Sequence, residues 1–383
     1  MDVIQATESQ QNENLNFSDM RIEKVELFKL DIPLKQPFII SLGPIYCSQN
    51  MVVKILTNSG LIGIGECSPY TYIVGETQES EIAVGKLIAK LLIGKNPLEI
   101  HSRLSEIDAA IAFNKTIKSA FDMALYDLSS KYCKLPLYAF LGGSTTKKLI
   151  SDMTVGINLP EKMAADATSF KKAGFSVLKV KVGSDLATDV ARIAAVRAAV
   201  GDDIIIRIDA NQAWDSVQAI KILAALAPYN IQHCEEPVPR WDNAGMKKVC
   251  ENSSIPIMAD ESLFDHHDAF RLASTSSCDL FNIKLSKSGG IYKALKIIAI
   301  AEAAGIQSQV GSMGESRYGI TALAHLALAS KNIIYFDLDA PLMQSEDPVI
   351  GGLKYIEGGE VILSDAHGVG ADFDPSYYHK INL

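Results

Sequence analysis

No run of about 18 apolar residues, the length a membrane-spanning helix needs, occurs in this sequence. The most apolar stretch, around 297–306, carries Glu302 and follows Lys296. The opening MDVIQATESQQNENLNFSDM also lacks the apolar core of a secretory signal, and its polar composition predicts a disordered tail over 1–20. Cysteine is sparse: six residues (47, 67, 133, 234, 250 and 278), with no C-x-x-C pair and no short disulfide spacing. Reduced thiols and a cytoplasmic location are therefore expected. Basic runs are missing too. Lys plus Arg total 36 against 45 Asp plus Glu, a balance of −9, which argues against nucleic acid as a partner. A membrane partner is not expected either, and homo-oligomerisation is left open.

What is present is enough apolar material for a large core. Hydrophobic residues make up 48% of 383 positions against 21% charged, a size that suits two cooperating domains or one large barrel with additions. From Arg21 to Glu66 the pattern alternates and is rich in Val, Ile and Leu, with a turn signal at Asn58-Ser59-Gly60, which predicts a small antiparallel sheet. Helical spacing follows from about 78 to 141, so 21–148 is expected to form an α+β domain. The rhythm then changes to short apolar runs, each followed by a helical segment: 149–157, 176–182, 204–210, 231–237, 255–261, 279–285, 306–310 and 332–339. Eight such runs predict an α/β fold of the (β/α)8 barrel type over 149–340, capped by the N-terminal domain. The segment 341–383 is expected to return to the cap.

The polar residues in these runs carry the chemistry. Lys179, Lys181, Asp209, Glu235, Asp260, Lys284, Asp337 and Asp339 stand at or just past strand ends, and in a barrel those ends converge on the face where catalytic groups sit. Any one of them alone reads equally well as a solvated strand terminus. Asp209, Glu235 and Asp260 end three consecutive strands, and three hard oxygen donors with open positions suit Mg²⁺. Zinc is the weaker reading: alternation turns Cys234 away from the face of Glu235, and no further Cys or His has ligand spacing. Lys179 and Lys181, two apart on one strand, share a face. Each is expected to disfavour the other's charge, leaving a lysine able to act as a base near neutral pH. Lys284 ends the sixth strand, across the mouth from the second. Lys287, three residues on, reads as a loop residue.

LKVKVG, RIDANQAW, CEEPV, IMADES, NIKLSKSGG and FDLDAPL, in this order and spacing, resemble the enolase superfamily, in its muconate-lactonizing branch, and within it the dipeptide epimerases. The resemblance covers nearly everything from residue 21 onward. It implies that Asp209, Glu235 and Asp260 hold Mg²⁺ and that Lys181 and Lys284 are the acid/base pair, with Lys179 tuning Lys181. It also implies that the α-carbon of a dipeptide's C-terminal residue is inverted by proton transfer between the two lysines. In this subgroup a D-x-D at the place of Asp337 and Asp339 holds the substrate's N-terminal ammonium; the bland alternative is a strand-to-loop cap before Pro341. Thr154, Ser312 and Met313 match pocket-lining positions.

The sequence departs from the L-Ala-D/L-Glu epimerases in the segment KQPFIISLGPIY, where Gly43 stands in place of an arginine that reads the glutamate side chain. Ile39, Ile40, Leu42, Ile45 and Tyr72 leave the cap apolar, so Ala-Xaa with a small or hydrophobic Xaa, such as Ala-Ala, is expected over Ala-Glu. An o-succinylbenzoate synthase or cycloisomerase of the same branch would share the lysines and metal ligands but leave the D-x-D without a purpose. A mandelate-racemase-like base is not expected, because GSMGES follows the seventh strand where that histidine would fall. A non-catalytic metal-binding barrel should have lost a lysine or a ligand, and none is missing.

Overall fold

The computed structural model describes residues 16–377 and 379–381; residues 1–15, most of the expected tail, lie outside the described residues. Phe17–Asp19 form a 3-10 turn, Asn96 Nδ2 donates to the Phe17 carbonyl (2.6 Å), and Met20 is buried. The last positions assigned to the tail are thus packed on the cap.

The cap begins with antiparallel strands β1 (Ile22–Ile40), β2 (Gly43–Thr57) and β3 (Ile62–Cys67). Alternation shows in the second half of β2, where Val53, Ile55 and Thr57 are buried while Lys54 and Leu56 are partly exposed. Helices α1 (Gln78–Leu92) and α3 (Lys115–Tyr132) pack on this sheet, and α2 (Ile100–Ala110) packs against both of them. Almost all of α3 is buried, because it separates the cap sheet from the barrel and touches both.

The barrel strands are β4 (Met153–Val155), β5 (Val177–Lys181), β6 (Ile205–Asp209), β7 (Ile231–Glu235), β8 (Ile257–Ala259), β9 (Leu280–Ile283), β10 (Gln307–Val310) and β11 (Ile333–Phe336). They form one parallel sheet in sequence order, and the Asp152 N–H donates to the Phe336 carbonyl across the seam between β11 and β4 (3.1 Å). Helices α4 (Pro160–Lys172), α5 (Leu186–Val200), α6 (Ser216–Leu226), α7 (Asn243–Asn252), α8 (His266–Thr275), α9 (Ile291–Ala304) and α10 (Arg317–Ala329) alternate with the strands. Asp185, Asp215, Asp242, Asp265 and Ser316 each precede a helix and accept its free N–H groups, which is why these helices start where they do. After β11 there is a single turn, Ala340–Met343. The last strand, β12 (His379–Ile381), pairs antiparallel with β1, so the chain's end completes the cap sheet.

The run 149–157 differs from expectation. Leu149–Ile150 pairs with Glu360–Ile362 outside the barrel, and only Met153–Val155 enters it. The chain changes partners at Ser151 and Asp152, whose N–H groups go to the Gly359 and Phe336 carbonyls. No helix among the described residues is long and apolar enough to cross a membrane.

Candidate active site

The strands' C-terminal ends open into a cavity of about 440 Å³ between barrel and cap. Lys179, Lys181, Lys284, Thr154, Ser312, Met313, Asp337 and Asp339 all line it, and Phe38, Ile45, Tyr46 and Tyr72 roof it. Thus every lysine and every substrate-contacting residue expected from the sequence reaches one space. Asp209, Glu235 and Asp260 are fully buried and lie beneath it, tied to the lysines. Of the apolar cap residues, Ile45 and Tyr72 face the cavity, Ile39 lines a neighbouring one, and Ile40 is buried in packing. Gly43 stands at the hairpin tip with φ 121°.

Lys181 Nζ donates to Asp209 Oδ2 (2.6 Å) and Asn211 Oδ1 (3.1 Å). Lys179 Nζ lies 3.1 Å from Asp209, 2.9 Å from Glu235 and 3.0 Å from Asp337. Across the mouth, Lys284 Nζ lies 2.7 Å from Asp260. Burial alone would push Lys179 down, but Asp337, Glu235 and Asp209 outweigh it and hold its pKa well above the lysine range. Lys284 is raised in the same way, by Asp260 and Glu235 against burial. The expected mutual depression of the paired lysines is therefore not the dominant effect on Lys179: carboxylates from three other strands surround it. Asp260 is held well below the carboxylate range, against its burial, by Lys284 and Lys287, and Asp209 is held low by Lys181 and Lys179. Glu235 is pushed up to about 8 by burial and by Asp209.

Asp337 and Asp339 do share the cavity, but they are not an uncompensated pair. Lys179 binds Asp337, while Asp339 accepts the Thr154 N–H (2.7 Å). A third carboxylate, Asp152, comes close enough that oxygens of all three lie within 4.8 Å of one another. Asp152 is paired with Arg207 (2.8 Å), yet its Oδ1 is buried without a hydrogen-bond partner. Burial, Asp337 and Asp152 together raise the Asp339 pKa well above the usual carboxylate range. With Lys179 and Arg207 already in place, this trio is better suited to a small cation such as an ammonium than to a divalent metal. The set Asp209, Glu235 and Asp260 fits a hard divalent cation better: all three are buried carboxylates on adjacent strand ends, with the Asp209–Glu235 register aligned.

Several site residues escaped the sequence reading. Lys287 is not a solvated loop residue: it is fully buried in the turn Leu285–Ser288, and its Nζ reaches Asp260 Oδ1 at 2.5 Å. Asn282 Nδ2 holds Glu235 Oε1 (2.8 Å), and period-two spacing from Lys284 was the available signal for it. Asn211, at φ 42°, links Lys181 to Glu261, to which its Nδ2 donates (3.1 Å). Its place two residues past Asp209 was the only hint.

A two-layered barrel with an α+β cap, and lysines and carboxylates converging at the strand ends, defines a class that comparison with known proteins makes specific. Residues 22–142 match "Mandelate racemase / muconate lactonizing enzyme, N-terminal domain" and residues 162–377 match "Enolase C-terminal domain-like". The chain belongs to the enolase superfamily, in its mandelate racemase/muconate lactonizing group. It is 50% identical over 358 residues to a D-Ala-D/L-Ala epimerase of Cytophaga hutchinsonii (94% of this chain, 97% of that one). It is 42% identical over 355 residues to an L-Ala-D/L-Glu epimerase of Bacillus subtilis (92% and 96%). Among solved structures it resembles the Cytophaga hutchinsonii dipeptide epimerase complexed with Mg and D-Ala-L-Val, with a TM-score of 0.93, 50% identity, and 94% of this chain and 99% of that one covered. Its relatives are named as epimerases and racemases, and the protein is an isomerase.

Proposed function

We propose that the protein is a magnesium-dependent dipeptide epimerase that inverts the α-carbon of the C-terminal residue by proton transfer between Lys181 and Lys284. The observation carrying this reading is that both ammonium groups line one cavity, each paired with a different carboxylate of the proposed metal set. Asp209, Glu235 and Asp260 would hold Mg²⁺, whose charge makes the α-proton of a bound substrate carboxylate acidic. One of Lys181 and Lys284 then takes that proton on one face, and the other, as an ammonium, delivers a proton of its own to the opposite face. Lys179 touches Asp209, Glu235 and Asp337, so it acts on Lys181 by sharing Asp209 and on the ammonium site by balancing Asp337. Asp337 and Asp339 receive the N-terminal ammonium. Thr154, Ser312 and Met313 fill the wall beside it.

Small or hydrophobic C-terminal residues are favoured over glutamate in this reading. Among the described residues the lining holds three lysines and neither arginine nor histidine, and the three lysines are committed to buried carboxylates. A glutamate side chain against Ile45 and Tyr72 would lose water without gaining a partner. The D-Ala-D/L-Ala epimerase and the complex with D-Ala-L-Val are consistent with this preference. The test is incubation with mixed dipeptides and Mg²⁺ in D₂O: α-deuteration of the C-terminal residue, seen by NMR, is expected. A protein that labels N-succinyl amino acids and no dipeptide would belong to a different branch activity.

A further inference from the structure

A second cavity of about 310 Å³ lies beside the first. The two share three residues, Phe38, Thr154 and Met343. Beyond them the second cavity is walled by Ile39, Val155, Ile157, Phe170 and Leu342, with Lys162 and Asp166 at its rim. Those two form an ion pair and are partly exposed, and the exposed Lys35, Gln36 and Asn158 also line the cavity, so its charged and polar lining meets solvent. Its volume is in the range that holds a small ligand, and far exceeds a packing defect.

Which part of a substrate points there follows from the ammonium site, and this step rests on the dipeptide reading above. The N-terminal Cα is one bond, about 1.5 Å, from the ammonium nitrogen. That nitrogen belongs between Asp337 and Asp339, and Asp339 is tied to the backbone of Thr154 (2.7 Å), a residue of the shared wall. The carbon to be inverted lies three bonds further along, toward Lys181 and Lys284. The N-terminal side chain therefore leaves the backbone at the partition, while the C-terminal one leaves it under the cap. Thr154 is a β-branched strand residue, and Phe38 is drawn toward Lys181, whose Nζ lies 5.9 Å from its ring centroid. Met343, half-buried at the end of the turn Ala340–Met343, is the flexible member.

We propose that Met343 sets the size limit on the N-terminal residue, and that the second cavity is a side-chain pocket for a branched or aromatic N-terminal residue, closed by the Met343 thioether. Alanine fits on the near side of the partition; leucine needs the thioether gone or displaced.

The test is kcat/KM for Ala-Ala and Leu-Ala, both epimerised at the C-terminal residue, in wild type, Met343→Ala and Met343→Val. The ratio of Leu-Ala to Ala-Ala should rise about tenfold or more in Met343→Ala and less in Met343→Val, the size of effect that a few methylenes have in an apolar pocket. Adding Ile157→Trp, a larger side chain at a position that lines the second cavity and not the first, should return the ratio of the Met343→Ala enzyme toward wild type. A ratio within twofold of wild type in both Met343 variants, with Ala-Ala still turned over, overturns this proposal alone, as does an Ile157→Trp addition that leaves a raised ratio unchanged. Absence of dipeptide turnover in the wild-type enzyme overturns the dipeptide reading and this proposal with it.

Discussion

Asp209 accepts from Lys181 and lies against Lys179, so neutralising it removes a proposed metal ligand and the partner of two ammonium groups at once. Asp209→Asn, Glu235→Gln and Asp260→Asn should each lower kcat by about a hundredfold or more, the scale for losing a preorganised charge at the reacting centre. Mg²⁺ affinity, read by calorimetry, should fall in step. Full activity in excess chelator would refute the metal assignment. The lysines separate more finely. Lys181→Ala and Lys284→Ala should both abolish epimerisation, yet each variant should still exchange the α-proton of one stereoisomer with D₂O, because one face keeps its base. If either variant exchanged both stereoisomers at wild-type rates, the opposed pair would be wrong.

Asp122 in α3 shows how an element far from the cavity positions it. Its carboxylate accepts the N–H groups of Ile291 (2.5 Å) and Tyr292 (3.2 Å) at the start of α9, anchoring the segment just after Lys284 and Lys287. Gly290, at φ 105°, precedes that helix, and a Cβ there would fall 2.3 Å from Asp122 Cγ, so the second glycine of SKSGG is a packing requirement. Burial pushes the Asp122 pKa up to about 8, against those N–H groups. A carboxyl with a raised folded pKa binds its proton more tightly in the folded state than in the unfolded one, where it titrates near 4. Its contribution to stability is therefore full below about pH 4, declines as pH rises toward about 8, and is flat above. Asp122→Asn cannot ionise and keeps one acceptor. Its Tm should fall less than that of wild type between pH 5 and pH 8.5; parallel curves would show that Asp122 is not the group titrating. The strands were legible because period two and apolar runs mark them, and the lysines and carboxylates that meet at the cavity because they sit at strand ends. Asp152 and Arg207 were not, since their pairing joins residues 55 apart, and nothing local distinguishes a buried lysine such as Lys287 from a loop lysine until its partner Asp260 is placed beside it.

At the scale of the whole molecule, the proposed function draws proton transfer and the ammonium site from the barrel and the roof from the cap, so the two kinds of specificity should be separable. Lys179 balances Asp337, and Asp339 is left in a buried site beside two other carboxylates, an arrangement that a substrate ammonium relieves and an acetamide does not. N-acetyl dipeptides should therefore lose about a hundredfold in kcat/KM, the cost of a buried polar group left without its partner. The cap should act on the other residue. With Ile45 and Tyr72 over the cavity and no arginine or histidine among the described residues of its lining, Ala-Ala and Ala-Val should exceed Ala-Glu, measured in both stereochemical series. A cation in the roof should reverse part of that order. Gly43→Arg is a strained way to supply one, because Gly43 holds φ 121°, a conformation that side chains disfavour. Ile45 already lines the cavity from an ordinary strand, so Ile45→Arg should raise the ratio of Ala-Glu to Ala-Val while N-acetyl-Ala-Val stays poor. If wild type prefers Ala-Glu, the apolar roof does not set the C-terminal residue. If N-acetyl and free dipeptides turn over equally, the two aspartates do not read the ammonium, and the proposal retreats to proton transfer alone.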